Sequence, residues 1–186
     1  MLFRSALQLL RLGLFEPALV RELAQKLEAE FRAPCEVLSR IADPEFAFHP
    51  ERQQYHSSEI LAWMEAQVTS RTWRLLAVTA ADLYIPILTF VFGEARVDGR
   101  TALVSTHRLR QEFYGLPPDS ELLRARLLRE AVHELGHTFA LRHCDDWQCA
   151  MASSPSVEAI DLKGAELCPL CRAKALGANS LSVPVR

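Results

Sequence analysis

The chain has 186 residues, of which 49% are hydrophobic and 24% are charged, and its formal net charge at pH 7 is −2. This length fits one domain that can bury a sizeable core. The composition is ordinary for a soluble globular protein. Because the net charge is close to zero, the chain has no basic footprint of the kind that nucleic-acid-binding proteins carry. We therefore expect no nucleic-acid partner.

The first 20 residues are apolar in places, but Arg4 and Arg11 interrupt them and no small-residue cleavage site follows. We interpret this segment as a strand or helix of the fold and not as a signal peptide. No run reaches the roughly 18 apolar residues that a membrane span needs. A cytoplasmic monomer without a membrane partner is the default expectation. Because disulfides are rare in that compartment, the five cysteines point first to metal binding or catalysis.

The first elements follow from apolar spacing. Large apolar residues recur every four positions from Pro17 to Phe31, which predicts an amphipathic helix with its proline in the first turn. A short strand is predicted over Cys35 to Leu38, followed by a polar loop from Phe46 to Gln54. A second helix then runs from a serine cap at position 57 or 58 to about Val68.

The pattern next changes to that of short strands, rich in β-branched and aromatic residues and separated by turn signals. The predicted strands are Trp73 to Thr79, Leu88 to Phe92 and Thr101 to Ser105. Asp98-Gly99 between the last two predicts a hairpin. A third helix runs from about Ser120 to about Phe139. Its expected buried stripe is Leu128, Val132, Leu135 and Phe139.

The late part of this helix contains His133-Glu134-Leu135-Gly136-His137. Residues four apart on a helix share one face, so both imidazoles can reach one metal ion. Glu134 faces the position where zinc holds a water, and zinc lowers the pKa of that water enough for a carboxylate to take its proton. Two histidines at this spacing, with a glutamate directly after the first, predict a hydrolytic zinc site.

His143 follows six residues after His137, where a continued helix would turn it away from the metal. It can be a third ligand only if the helix ends soon after His137 and the chain turns back. Three histidines plus a water form the open geometry of catalytic zinc. The alternative is that these are ordinary histidines on a helix surface. The remaining histidines lack such company and are interpreted as surface or loop residues: His49, His56 and His107.

Four cysteines form two pairs, Cys144 with Cys149 and Cys168 with Cys171. Two such pairs at this separation are typical of a closed four-thiolate zinc site, which would hold together a C-terminal segment with a weak core. Disulfides, or a redox pair at the second motif, are the alternatives. The remaining cysteine, Cys35, is interpreted as a small buried hydrophobic residue.

The run from His133 to Cys171, with Cys149-Ala150-Met151 inside it, resembles the archaemetzincin family of metzincin zinc proteases. The resemblance implies an α+β fold of the zincin type, in which a twisted mixed β-sheet packs on two long helices and a zinc-stapled segment closes the C-terminus. It implies two Zn²⁺ ions per chain. The catalytic ion would be held by His133, His137 and His143, and the structural ion by Cys144, Cys149, Cys168 and Cys171.

The resemblance also implies roles for other residues. Glu134 would be the general base and later the proton donor, and Met151 would form the methionine turn beneath the histidines. An edge strand made of Ala102, Leu103, Val104 and Ser105 would pair with an extended peptide or protein substrate, as an unpaired strand edge can.

Ala140 departs from the family pattern, which has glycine there. That glycine usually makes the turn out of the helix, so we expect Ala140 to adopt a positive φ at some cost in free energy. If residue 140 instead stays helical, the turn comes at Leu141 or Arg142.

We therefore expect one metalloprotease domain over residues 1–186, with the sheet and helices in residues 1–139 and a zinc-bound subdomain in 140–186. The predicted function is hydrolysis of peptide bonds as an amino- or endopeptidase. A catalytically weak, zinc-stapled protein that binds peptides is the alternative. A zinc-ribbon nucleic-acid module has only Arg172 and Lys174 in its favour.

Overall fold

The computed structural model describes residues 5–13 and 16–177, and within them a mixed α+β fold. The strands are β1 Ala6–Leu12, β2 Cys35–Ala42, β3 Phe48–His49, β4 Gln54–His56, β5 Thr72–Thr79, β6 Leu83–Tyr84, β7 Gly93–Ala95 and β8 Thr101–Ser105. The α-helices are α1 Pro17–Phe31, α2 Ser57–Glu65, α3 Ser120–Thr138, α4 Val157–Leu162 and α5 Pro169–Gly177. Short 3-10 helices cover Glu45–Ala47, His107–Leu109 and Gln111–Tyr114.

The main sheet has five strands in the order β2-β1-β5-β8-β7. The first four are parallel, and β7 is antiparallel to β8. A smaller sheet contains β3, β4 and β6. A mixed sheet with an antiparallel strand at one edge is common in folds that cover both sheet faces with helices.

Alternating residues of the strands divide the core into two layers. In β1, Leu7 and Leu9 belong to the larger hydrophobic cluster, which also contains α1 and α3 residues. Leu10 and Leu12 face the other side and belong to the smaller cluster, packed with α2. Because successive side chains of a strand point to opposite faces, the central strands are apolar on both faces. The larger of the two clusters packs α3 against one face of the main sheet.

The first two helices test the spacing arguments. Helix α1 has the predicted limits. Helix α2 ends at Glu65, and its predicted serine cap is wrong: the N-cap residue is His56, which makes no side-chain cap. The hydroxyls of Ser57 and Ser58 instead donate to the Glu94 carboxylate. The two serine hydroxyls, which the local pattern assigned to the helix cap, therefore bond to a carboxylate on β7.

Several strand predictions also needed correction. The predicted polar loop, Phe46 to Gln54, contains β3 and the first residue of β4. The strand predicted over Leu88 to Phe92 is wrong, because only Val91 makes an isolated bridge, to Leu83, and regular pairing starts at Gly93. The hairpin at Asp98-Gly99 is confirmed, since β7 and β8 pair antiparallel on either side of it.

The prediction that Ala102, Leu103, Val104 and Ser105 form an edge strand is wrong. Strand β8 lies between β5 and β7 and pairs with both. All of its residues are buried. The family resemblance implied an edge strand here, but β8 pairs in parallel with β5 on one side and antiparallel with β7 on the other, so β7 takes the edge position.

Helix α3 begins after Asp119, whose side chain accepts a hydrogen bond from the Leu122 amide at 2.9 Å. Val132, Leu135 and Phe139 are buried as predicted, whereas Leu128 is half-buried and its neighbour Leu127 lies in the core. Among the described helices, none combines the length and the apolar character needed to cross a membrane.

Candidate metal centres

The first candidate centre is built by α3 and the turn that follows it. His133 and His137 lie one helical turn apart, and their Nε2 atoms are 3.1 Å from each other. His143, beyond the helix, completes the group. One ring nitrogen from each histidine lies within 4.8 Å of the others. The structure thus brings together the three histidines that the spacing singled out.

The turn after α3 brings His143 back. The Ala140 amide donates to the His137 carbonyl at 3.0 Å, and the Leu141 amide donates to the Gly136 carbonyl at 3.2 Å. This pair of bonds is the Schellman arrangement, whose first residue outside the helix adopts a left-handed conformation. Ala140 does so, with φ of 59°. The expected positive φ is confirmed, and a later turn at Leu141 or Arg142 is excluded.

Backbone carbonyls fix the orientation of two imidazoles. His133 Nδ1 lies 2.8 Å from the Ala150 carbonyl oxygen, and His137 Nδ1 lies 2.9 Å from that of Leu141. A carbonyl can only accept, so each Nδ1 carries the hydrogen and each Nε2 keeps its lone pair. Burial, followed by the charge of Lys163, lowers the pKa of His133 to about 2. Neutral imidazoles with free Nε2 atoms are what a metal requires.

Glu134 lies in a cleft of about 360 Å³ that also contains His133 and His143. Burial, followed by the charge of Glu130, raises the pKa of the Glu134 carboxyl well above its usual value. Gly93 of β7 passes directly over this carboxylate. A Cβ atom at Gly93 would lie 2.6 Å from Glu134 Cγ, so only glycine allows this approach.

The cleft has an apolar wall and a polar wall. The lining residues beside the histidines and acids are Leu88, Thr89, Phe90, Val91, Phe92 and Gly93 on the side of the sheet, and Ser153, Ser154 and Pro155 on the other. Such a groove, apolar with a few convergent polar groups, is typical of a substrate site.

Met151 lies beneath α3, with its side chain buried. A Cβ at Gly136 would clash with Met151 Sδ, so the helix and the methionine pack as closely as a glycine permits. The Met151 carbonyl accepts a hydrogen bond from the Cys144 amide at 2.9 Å. The Met151 side chain thus packs against α3 at the turn between His133 and His137.

The second candidate centre collects the four predicted cysteines. Their Sγ atoms lie within 4.8 Å of one another. Cys144 and Cys168 are 3.9 Å apart, and none of the described cysteines forms a disulfide. The amide of Cys171 donates to the Cys168 sulfur and thereby lowers the pKa of that thiol. The fifth cysteine, Cys35, is half-buried on β2, where burial raises its pKa to about 12.

Both groups fit zinc. Tetrahedral zinc with bonds of about 2.0 Å to nitrogen and about 2.3 Å to sulfur separates its ligand atoms by about 3.3 Å and about 3.8 Å. The measured separations are 3.1 Å between Nε2 atoms of His133 and His137 and 3.9 Å between Cys144 and Cys168. A four-thiolate group is closed, whereas three histidines leave one position open.

Comparison with known proteins decides the family. The family model described as peptidase family M54 matches residues 21–176. The chain belongs to peptidase family M54. It is 39% identical over 155 residues to the archaemetzincin of Methanocaldococcus jannaschii, covering 83% of this chain and 84% of that protein. With the archaemetzincin of Thermococcus kodakarensis it shares 42% identity over 132 residues, 70% of each chain.

Solved structures agree with this assignment. The zinc-dependent peptidase of Methanocorpusculum labreanum superposes with a TM-score of 0.83 at 30% identity, covering 91% of this chain and 99% of that one. The archaemetzincin of Methanopyrus kandleri gives a TM-score of 0.80 at 33% identity, covering 95% and 96%. The M54 chain is accordingly a zinc metallopeptidase with the archaemetzincin fold.

Sequence reasoning missed several residues around the M54 site. Glu130 and Lys163 form a buried ion pair next to His133, and Gly93 makes the close approach to Glu134. No local pattern marks them, because their partners lie on other elements. The histidines interpreted as surface or loop residues, His49, His56 and His107, are partly exposed and belong to neither described metal-binding group.

Ala140→Gly should stabilise the peptidase. Alanine with positive φ costs about 1–2 kcal/mol, of which the greater entropy of unfolded glycine offsets part. We expect a net gain of up to about 1 kcal/mol and a melting temperature about 2–4 °C higher. Thermal unfolding measures the change.

Ala29→Gly is the matched control, because Ala29 is an exposed residue inside α1. Glycine there should lower stability by about 1 kcal/mol. A lower melting temperature in both variants would show that Ala140 is not strained.

Proposed function

We propose that this peptidase hydrolyses peptide bonds with Glu134 as general base, and that His133, His137 and His143 hold the catalytic zinc. The observation that carries the proposal is the position of Glu134, which shares one cleft with His133 and His143. A carboxylate beside an open three-histidine site is the arrangement that metal-assisted hydrolysis uses.

Zinc at this site would act as a Lewis acid, acidifying a water molecule and polarising the substrate carbonyl. Glu134 then takes the proton of the attacking water and delivers it to the leaving nitrogen. Its raised pKa, caused first by burial, suits a group that must both accept and release a proton. The carbonyls of Ala150 and Leu141 hold the two helical imidazoles in the orientation that would bind the zinc.

Strand β7 is the candidate platform for the substrate backbone. In its antiparallel pairing, Arg96 donates to Thr101, and Ser105 donates to Phe92. Hydrogen-bonded residues alternate along such a strand, so the N–H and C=O groups of Gly93 and Ala95 face the free edge. An extended peptide added there passes directly over Glu134, which Gly93 contacts.

We further infer that the four cysteines hold a second, structural zinc. Their thiolates would close around it and tie the segment carrying His143 to α5. The larger hydrophobic cluster contains residues from β1 to α5, which supports a single domain across the described part of the chain. The zinc-bound part would start at residue 140, and its residues 178–186 lie outside the described residues. The expected cytoplasmic location and monomeric state stay predictions. The alternative of a catalytically weak peptide-binding protein is not favoured, because the relatives are peptidases.

Glu134→Ala should abolish most activity without loss of metal. Removal of a general base costs about a hundredfold or more in rate. Peptide cleavage read by mass spectrometry, together with zinc analysis, tests this. Cleavage at the parent rate by Glu134→Ala would overturn the assignment of the base.

The purified peptidase should contain two zinc ions per chain. His137→Ala should leave one and keep the fold, because an open site contributes little to the core. Cys168→Ser should lose the other ion and loosen the C-terminal segment. Elemental analysis with thermal unfolding measures both. One zinc ion in the parent, with the cysteines oxidised to disulfides, would contradict the second centre.

Ala95→Pro should weaken substrate binding while the sheet survives. Proline removes an N–H that faces the free edge, where no ladder bond is lost. One missing hydrogen bond of about 1 kcal/mol lowers kcat/KM about fivefold. Ala95→Ser keeps the N–H and should match the parent. Equal kcat/KM in all three proteins would exclude β7 as the platform.

A further inference from the structure

Lys163 is a buried lysine that the mechanism above does not use. It follows α4, and its side chain is 2% exposed. Its Nζ lies 2.8 Å from Glu130 Oε1, 3.4 Å from the Ala152 carbonyl oxygen and 3.4 Å from His133 Nδ1. The ammonium group, which has three donors, thus contacts both the turn of α3 before His133 and the loop segment around Met151.

Docking of α4 onto α3 does not account for this pair. Arg126 binds Asp161 through two hydrogen bonds of 2.7 Å and 2.6 Å, and Arg129 donates to the Lys163 carbonyl at 2.9 Å. These contacts already join the two helices. A buried ion pair costs desolvation that its own attraction rarely exceeds, so stability is a weak explanation for it.

The position of the His133 ring depends on the two segments that Lys163 contacts. Glu130 lies one turn before His133 on α3 and lines the cleft. Ala152 lies two residues after Ala150, whose carbonyl accepts from His133 Nδ1. Moving either segment would rotate the first histidine or break its carbonyl contact.

Glu130 also lies four residues before Glu134, on the same face of α3. Both carboxylates are buried and line the same cleft. The Lys163 ammonium group pairs with the first of these carboxylates, at 2.8 Å from Glu130 Oε1.

We propose that the buried Lys163–Glu130 pair positions His133, with Lys163 as a positioning residue. This inference rests on the proposed function for its kinetic part only. Metal affinity tests the positioning of His133 independently of activity.

The experiment removes the whole pair, so that no buried charge is left alone. Glu130→Leu/Lys163→Met has similar volume and should fold, because apolar replacement of a buried pair is often neutral. We expect the zinc affinity of the histidine site, measured by chelator competition, to fall ten- to a hundredfold, as for other residues that orient metal ligands. The kcat should fall by a similar factor at unchanged KM.

The matched control is Arg126→Leu/Asp161→Leu. It removes the other ion pair between α3 and α4, one helical turn farther from His133. This variant should lose thermal stability but keep zinc affinity and kcat within about twofold, which is the pattern of a purely structural contact.

Parent-like zinc affinity and kcat in Glu130→Leu/Lys163→Met, or equal losses in the control, would overturn the proposal. If the apolar pair does not fold, Glu130→Gln/Lys163→Gln replaces it, with the same expectations. Failure of both to fold would make the pair a requirement of folding and would also overturn the proposal. An inactive parent with the predicted loss of zinc affinity would refute the proposed reaction and leave the positioning of His133 supported.

Discussion

Three histidines on the two sides of a turn can share one metal only if α3 stops immediately after His137. Ala140 supplies that stop with a positive φ, and the amides of Ala140 and Leu141 return to helix carbonyls. The same turn places the Leu141 carbonyl on His137 Nδ1. This turn, at a strain of about 1 kcal/mol in one residue, therefore sets the position of the His143 imidazole and the orientation of the His137 imidazole.

The segment from Cys144 to Ala152 connects the two candidate centres. It contributes thiols to one centre, and the Ala150 carbonyl to the imidazole of His133 in the other. The Cys144 amide bonds to the Met151 carbonyl and closes this segment on itself. A metal ion that held the cysteines in place would consequently also hold the support beneath the histidines.

The cleft is lined by buried ionisable side chains. Glu130 and Glu134 occupy successive turns of α3, and Lys163 pairs with the first of them. Burial raises the pKa of both carboxyls. Buried acids with raised pKa values are typical of catalytic sites.

The sequence alone determined what local spacing controls. Periodicity predicted α1 and most of α3. The spacing of histidines and cysteines identified both metal-binding groups, because side chains four residues apart on a helix or in one short loop lie close together whatever the tertiary contacts are. Even the strain at Ala140 was local. The tertiary structure alone decided that β8 is internal and β7 the edge, that Ser57 and Ser58 bond to Glu94, and that Lys163 meets Glu130. Those contacts join residues about 30 or more positions apart or depend on strand order, and no short-range pattern encodes strand order.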